Sequence, residues 1–195
     1  MSEQDIVALC LGGAQNVMEE YENAVALCIA NNKTWITLVC NDTIALFSQE
    51  IDKAVTLHPD KMPIWLDKRR AAGLIDPKET WCHRPYRHIS NDTKDWGGSS
   101  GLLMVKIARE AGIRKVVLCG VPMTVEAGHI VRRAKWTAAH GFRRGWMRHT
   151  PELKPFVRSF AGWTKELFGE PTSEWLKADI PDPSPPRAQH EALKA

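Results

Sequence analysis

Two glycine turns, three histidines and a run of arginines are the residues whose types and spacing could do chemistry. Gly97-Gly98-Ser99-Ser100-Gly101 stands directly before the apolar stretch Leu102–Ala108. Read as the start of a helix, this turn offers free backbone N–H groups, a positive dipole end and two hydroxyls, the donor set that receives a phosphate or carboxylate. The competing reading is structural: Ser99 or Ser100 caps the helix, and the glycines only make the turn tight. The G-x-x-x-x-G-K-[ST] pattern of a P-loop is absent. Gly12-Gly13 follows the apolar run Asp5–Leu11, where a dinucleotide fingerprint would begin, but LGGAQNV lacks the full G-x-G-x-x-G. His58, in TLHPDK, stands where a short strand ends, either as a site residue or as a histidine bonded within its loop.

Between Glu126 and Glu152 no acidic residue occurs, while Arg132, Arg133, Lys135, Arg143, Arg144 and Arg148 fall in that interval with His129, His140 and His149. Trp136, Phe142 and Trp146 are interleaved. The segment reads as an anion-facing arm, with Arg132, Arg133, Arg143 and Arg144 as anion-binding candidates, or as a solvated basic helix face. Basic residues alternating with aromatics also suit single-stranded nucleic acid. No metal is expected, because Cys82-x-His is lone and the histidines lack ligand spacing. A G-x-S-x-G elbow is also missing.

The elements that must position these residues alternate. Asp5–Leu11, Thr34–Cys40, Ala54–Leu57 and Lys115–Cys119 read as buried strands. Helices are expected at Val17–Ala30, Thr43–Ile51 behind an Asn41-Asp42-Thr43 cap, Met62–Ala72 and Ser100–Ala111, and over Pro151–Phe168. Asp76–Thr93 reads as irregular, with a short strand around Tyr86–Ser90. Continuous apolar strands alternating with helices predict an α/β, Rossmann-like doubly wound and mainly parallel sheet covered on both faces. Its ligand would bind at the carboxyl ends of the strands. The expected organisation is a nucleotide-binding core over 1–125, a basic aromatic helical extension over 126–178, and a disordered Pro-rich tail over 179–195.

The 195 residues carry a net charge of +3, too mild a bias to predict nucleic acid by itself. No membrane association is expected, since no run of 18 apolar residues occurs and the N-terminus lacks a signal-like pattern. The five cysteines are odd in number and mostly set in apolar runs, which points to free thiols and a reducing, cytoplasmic compartment. Self-association as a homo-oligomer is compatible with all of this.

Leu11-Gly12-Gly13-Ala14, then Ser99-Ser100-Gly101-Leu102-Leu103-Met104 with Ala108, then Val116-Val117-Leu118-Cys119-Gly120-Val121, resemble in order and form the bacterial sialyltransferases of lipooligosaccharide synthesis. They are also similar to the related MptE-like pterin pyrophosphokinases. GSSGLLMVKIA, VVLCGVPM and VTLHPDK further resemble small proteins of tailed phages. The resemblance spans Ile6 to Met123. It implies that Gly12, Gly13, Ser99, Ser100 and Gly101 hold a nucleotide and its phosphate, with Asn41 near them. It also implies a catalytic base downstream of the fourth strand, for which His129 and His140 are the candidates, beside His58. Two departures matter: GGAQN stands where the family has G-x-G-P-S, and Val121-Pro122 replaces a strand-end acid. The expected function is binding of a nucleotide or nucleotide-sugar donor, with transfer to a hydroxyl acceptor. No cofactor beyond that nucleotide-type ligand is expected. The alternative is a non-catalytic phage assembly, protein-binding or nucleic-acid-binding module acting through the basic arm.

Overall fold

In the computed structural model, residues 6–131, 135 and 137–180 are described. Seven strands form one sheet: β1 (Ile6–Leu11), β2 (Thr34–Cys40), β3 (Lys53–Thr56), β4 (Glu79–Cys82), β5 (Asn91–Asp92), β6 (Lys115–Cys119) and β7 (Val157–Ser159). Their order is β5-β4-β3-β2-β1-β6-β7, and every neighbouring pair is parallel. The chain therefore winds outward from β1 to β5, then crosses back to β6 on the other side of β1. That reversal makes the fold a doubly wound, Rossmann-like α/β sheet with its switch point between β1 and β6. β1 lies central, with Leu9 opposite Thr37 on one side and Val117 on the other, and Val7 to Leu11 are fully buried.

Helix α1 (Val17–Ala30) buries Val17, Glu20, Ala24 and Cys28, a single stripe at helical spacing. It ends where Asn32 takes φ 53°, the left-handed conformation that asparagine tolerates. Helix α3 (Met62–Ala71) follows a 3-10 turn at Pro59–Lys61. Helix α4 (Ser100–Glu110) lies against β1, β2, β3 and β6, on the face opposite α1, as a right-handed crossover requires. It is buried from Ser100 to Ala108, with Trp146 of helix α5 (Ala139–Leu153) set against its first turn. Helices α6 (Gly162–Phe168) and α7 (Ser173–Lys177) are the last elements among the described residues.

Three local expectations are corrected. The helix expected over Thr43–Ile51 stops after one turn, as α2 (Thr43–Leu46). Phe47 becomes extended so that its ring reaches the core, and the buried Arg69 guanidinium collects the carbonyls that a longer helix would have used. Its Nη1 donates to Ile44 O and Phe47 O, and its Nη2 to Gln49 O. Tyr86–Ser90 is a turn, with His88 at φ 66°, and the neighbouring strands are Glu79–Cys82 and Asn91–Asp92 instead. Pro151–Phe168 is not one helix. Its first residues end α5, Val157–Ser159 adds a strand to the sheet beside β6, and only Gly162–Phe168 is helical.

All five cysteines are free and buried. Among the described residues no helix is long and apolar enough to cross a membrane.

Candidate functional site

A cavity of about 260 Å³ opens at the carboxyl ends of β1, β2, β3 and β6, across the switch point. Gly12, Gly13, Asn41, His58, Ser99, Ser100, Gly101 and His129 all line it. His140, Arg143 and Arg144 do not line it, and Arg132 and Arg133 lie outside the described residues. Asp42, Lys61, Trp65 and Phe142 line it too; Asp42 stands in the expected helix cap, Lys61 in TLHPDK and Phe142 among the interleaved aromatics, none with a site role of its own in the sequence.

The first turn of α4 forms one wall. The Ser99 hydroxyl caps the helix, accepting from Leu102 N at 3.4 Å and from the indole Nε1 of Trp146 at 3.3 Å. The structural reading of that serine thus holds, and it leaves the N–H groups of Ser100 and Gly101 as the ones no helical carbonyl can reach. Ser100 Oγ accepts from Leu57 N at 3.1 Å and donates to Asn41 Oδ1 at 3.2 Å. Asn41 Oδ1 also accepts from Thr56 Oγ1 at 2.9 Å, and Thr56 Oγ1 accepts from His58 N at 2.8 Å. The ends of β2 and β3 and the helix are knitted by this network. Asn41 holds its place in the left-handed conformation, φ 56°, with its amide nitrogen the donor group the network does not use.

The floor is made where β1 and β6 end side by side. Gly12 N donates to Cys119 O at 2.7 Å, and Ala14 N donates to Gly120 O at 3.1 Å. Beneath Gly120 lies the Glu20 carboxylate of α1, accepting from Gly120 N at 2.6 Å and from the Asn16 amide. Burial raises the Glu20 pKa, and the bond from Gly120 opposes that rise. A buried carboxylate thus fixes the turn that follows β6.

The far wall is the segment around His129. Ile130 N donates to Gly13 O at 2.8 Å, and Ala14 and His129 form an antiparallel bridge. The His129 ring lies over Gly13, with Nε2 3.1 Å from where a β-carbon would stand. Its Nδ1 accepts from Val131 N at 3.2 Å, which places the proton of the neutral ring on Nε2. Nε2 in turn faces Asp42 Oδ2 at 3.6 Å. Asp42 stands at the N-cap of α2 without capping it through its side chain; its Oδ1 instead accepts from Trp65 Nε1 at 2.9 Å. The side chains of His129 and Asp42 remain 22% and 28% exposed, so both meet the cavity.

Within the basic arm, Arg143 is engaged by the protein itself while Arg144 stays exposed. Arg143 donates through Nε and Nη2 to Met123 O, at 3.0 and 2.8 Å, and lies over the Trp163 ring. Its charge is spent on holding α5 to the turn after β6. Arg144 and His140 are exposed away from the cavity, and His149 stacks on Trp96. Among the described residues, the lysine or arginine that lines the cavity is Lys61, from the turn after His58.

Asp42 was legible as part of the Cys40–Thr43 loop at a ligand-binding strand end, but not as a carboxylate facing the cavity. In Asn41-Asp42-Thr43 it has the signature of a helix cap, and only the position of Trp65, 23 residues on, redirects its carboxylate. Among the described residues no group of three His, Cys, Asp or Glu side chains is placed to hold a metal ion. No family model, curated protein or solved structure matches this chain.

Proposed function

We propose that this chain binds a nucleotide, or the nucleotide part of an activated donor, in the cavity at the β1–β6 switch point. The carrying observation is convergence: the first turn of α4, the glycine turn after β1 and the ends of β2 and β3 all border one cavity. The unsatisfied amides of Ser100 and Gly101, with Lys61 nearby, suit a phosphate. A volume of about 260 Å³ lies close to the small end of small-molecule sites, roughly 300–1,000 Å³, which favours a mononucleotide over a dinucleotide. The resemblance of the Gly12-Gly13 and Ser99-Ser100-Gly101 turns to those of the sialyltransferases supports the same ligand class.

Transfer to a hydroxyl acceptor is the activity this reading implies. His58, exposed on the cavity, is the histidine suited to take the acceptor's proton. His129 is poorly suited to that role, since its Nδ1 lone pair is engaged by Val131 N–H.

Isothermal titration calorimetry with nucleoside mono- and diphosphates tests the proposal. The wild-type chain should bind at least one of them, and Lys61→Glu should weaken that binding about tenfold or more without moving the melting temperature, since Lys61 is exposed. Failure to bind any nucleotide overturns the proposal. Salt-dependent retention on single-stranded DNA, lost in Arg144→Glu/Arg148→Glu, would then favour the binding-module alternative.

A further inference from the structure

We propose that the loop after β4, residues 83–90, is a second anion-binding surface, and that the ligand is a single strand of nucleic acid. One nucleotide of the strand enters the cavity while its next phosphates cross this loop. The proposal rests on the nucleotide reading and names the larger molecule to which that nucleotide belongs.

β4 pairs in parallel with β3, so the loop that leaves it emerges at the same edge of the sheet as the cavity, next to the β3 end that carries His58 and Lys61. Neighbouring strands lie about 4.8 Å apart. The loop reads His83-Arg84-Pro85-Tyr86-Arg87-His88-Ile89-Ser90, and no acidic residue occurs between Glu79 and Asp92. Arg84, Tyr86, Arg87 and His88 are exposed. Among the described residues neither arginine meets a carboxylate, whereas Lys53, Arg70, Lys78 and Lys106 each do.

The loop is also held in shape. Thr80 N donates to Ser90 Oγ and Ser90 N to Thr80 Oγ1, each at 2.9 Å, which closes its base. Cys82 Sγ donates to Arg84 O at 2.7 Å, and Ile89 N donates to Tyr86 O at 3.2 Å while the Ile89 side chain packs against the core. Arg87 Nε donates to His88 Nε2 at 2.6 Å, and the rest of its guanidinium faces outward. Charges carried on a fixed loop lose less freedom when a ligand arrives.

These arginines continue a line of positive charge that starts in the cavity: Lys61 follows β3, and Arg84 and Arg87 follow β4. Charge set along successive strand ends suits a ligand with repeating phosphates. A mononucleotide seated in about 260 Å³ engages the first of these positions alone. Tyr86, 39% exposed between the two arginines, offers a ring on which a base can stack. That ring favours a nucleic-acid strand over an acidic peptide, which has no base to place there.

Fluorescence anisotropy of the full-length chain with a labelled single-stranded oligonucleotide of about six residues tests the proposal, beside calorimetry with a mononucleotide. The oligonucleotide should bind about tenfold or more tighter than the mononucleotide at low salt. Arg84→Gln/Arg87→Gln should remove that advantage, lower the slope of log affinity against log salt by roughly 0.7 per arginine, and leave mononucleotide binding unchanged. Tyr86→Ala should weaken the oligonucleotide several-fold without changing the salt slope, because stacking releases no counterions. Arg144→Glu/Arg148→Glu, on α5, should have little effect. Equal affinity for oligonucleotide and mononucleotide overturns the strand and leaves the nucleotide proposal standing. So does loss of the oligonucleotide in the α5 variant but not in the loop variant, or equally tight binding of poly-glutamate. An oligonucleotide that binds where no mononucleotide does, or no binding at all, overturns both.

Discussion

Gly12 and Asn41 both border the cavity, yet each is committed first to holding the strand ends together. A β-carbon on Gly12 would stand 2.3 Å from Gly120 O and 2.6 Å from Val121 Cγ2. The close approach that requires glycine here is therefore between two backbone segments, before any ligand is considered. A carbonyl cannot rotate aside as a long side chain can, so Gly12→Ala should cost about 2–3 kcal/mol, in the upper range of overpacking. Urea denaturation of the variant checks this; a loss under about 0.5 kcal/mol would show that the two strand ends can part. The Thr43 hydroxyl, bonded to Gly12 O at 2.6 Å, should keep the turn's shape in any variant that folds. The sequence announced both glycines as a turn at a ligand-binding edge. That their small size answers to β6 was not legible, because β6 lies more than a hundred residues further along the chain.

At the scale of elements, what periodicity could decide came out to the residue in places: Val17–Ala30, Thr34–Cys40 and Lys115–Cys119 are one helix and two strands with the expected bounds. Each has a long uninterrupted pattern and a turn residue after it. Where the pattern was short, tertiary contacts decided. The Thr43 helix yields to the burial of Phe47 and to Arg69, and Val157–Ser159 is too brief to show alternation at all. The basic arm was legible as a composition but not as an orientation. Its helix, α5, turns its largest aromatic inward: Trp146 is fully buried against Phe168 and donates to the Ser99 cap. Gly145 admits this contact, since a β-carbon there would stand 2.5 Å from Gly97 O. α5 is thus the support of the α4 first turn. Trp146→Ala should cost about 3–5 kcal/mol by the lost burial. Trp146→Phe, which mostly keeps the volume but drops the indole N–H, should stay folded and bind nucleotide several-fold more weakly as the cap loosens; calorimetry and thermal melting of the two variants separate these effects.

For the molecule as a whole, the buried thiols set how stability responds to alkali. Burial pushes Cys28 up to about 11 and Cys40 up to about 12, and raises Cys10, Cys82 and Cys119 as well, from an ordinary value of 9.0. As pH climbs through 9 the unfolded chain sheds thiol protons that the folded chain retains, so the folded state loses ground. Lys115 opposes this, because burial lowers it to about 8 from 10.5 and the folded chain then holds fewer protons than the unfolded one between those values. Five thiols against one ammonium give a net fall. The urea midpoint should drop between pH 8.5 and 10.5, and Cys28→Ala or Cys40→Ala should flatten the slope. A midpoint that rises over this range would contradict the assignment.

The sheet order carries a consequence for how the molecule comes into being. β1 meets β2 after one short helical connection, but its other neighbour arrives only after β2, β3, β4, β5 and α4 have been made, and the helix that braces α4 is later still. Closing so long a segment costs chain entropy before any pairing rewards it. On a ribosome, β1 through β5 can emerge and associate while the β1–β6 seam is still open, and that seam is the floor of the cavity. The cavity is accordingly closed later than the β1–β5 half of the sheet, only once β6 and α5 have joined it.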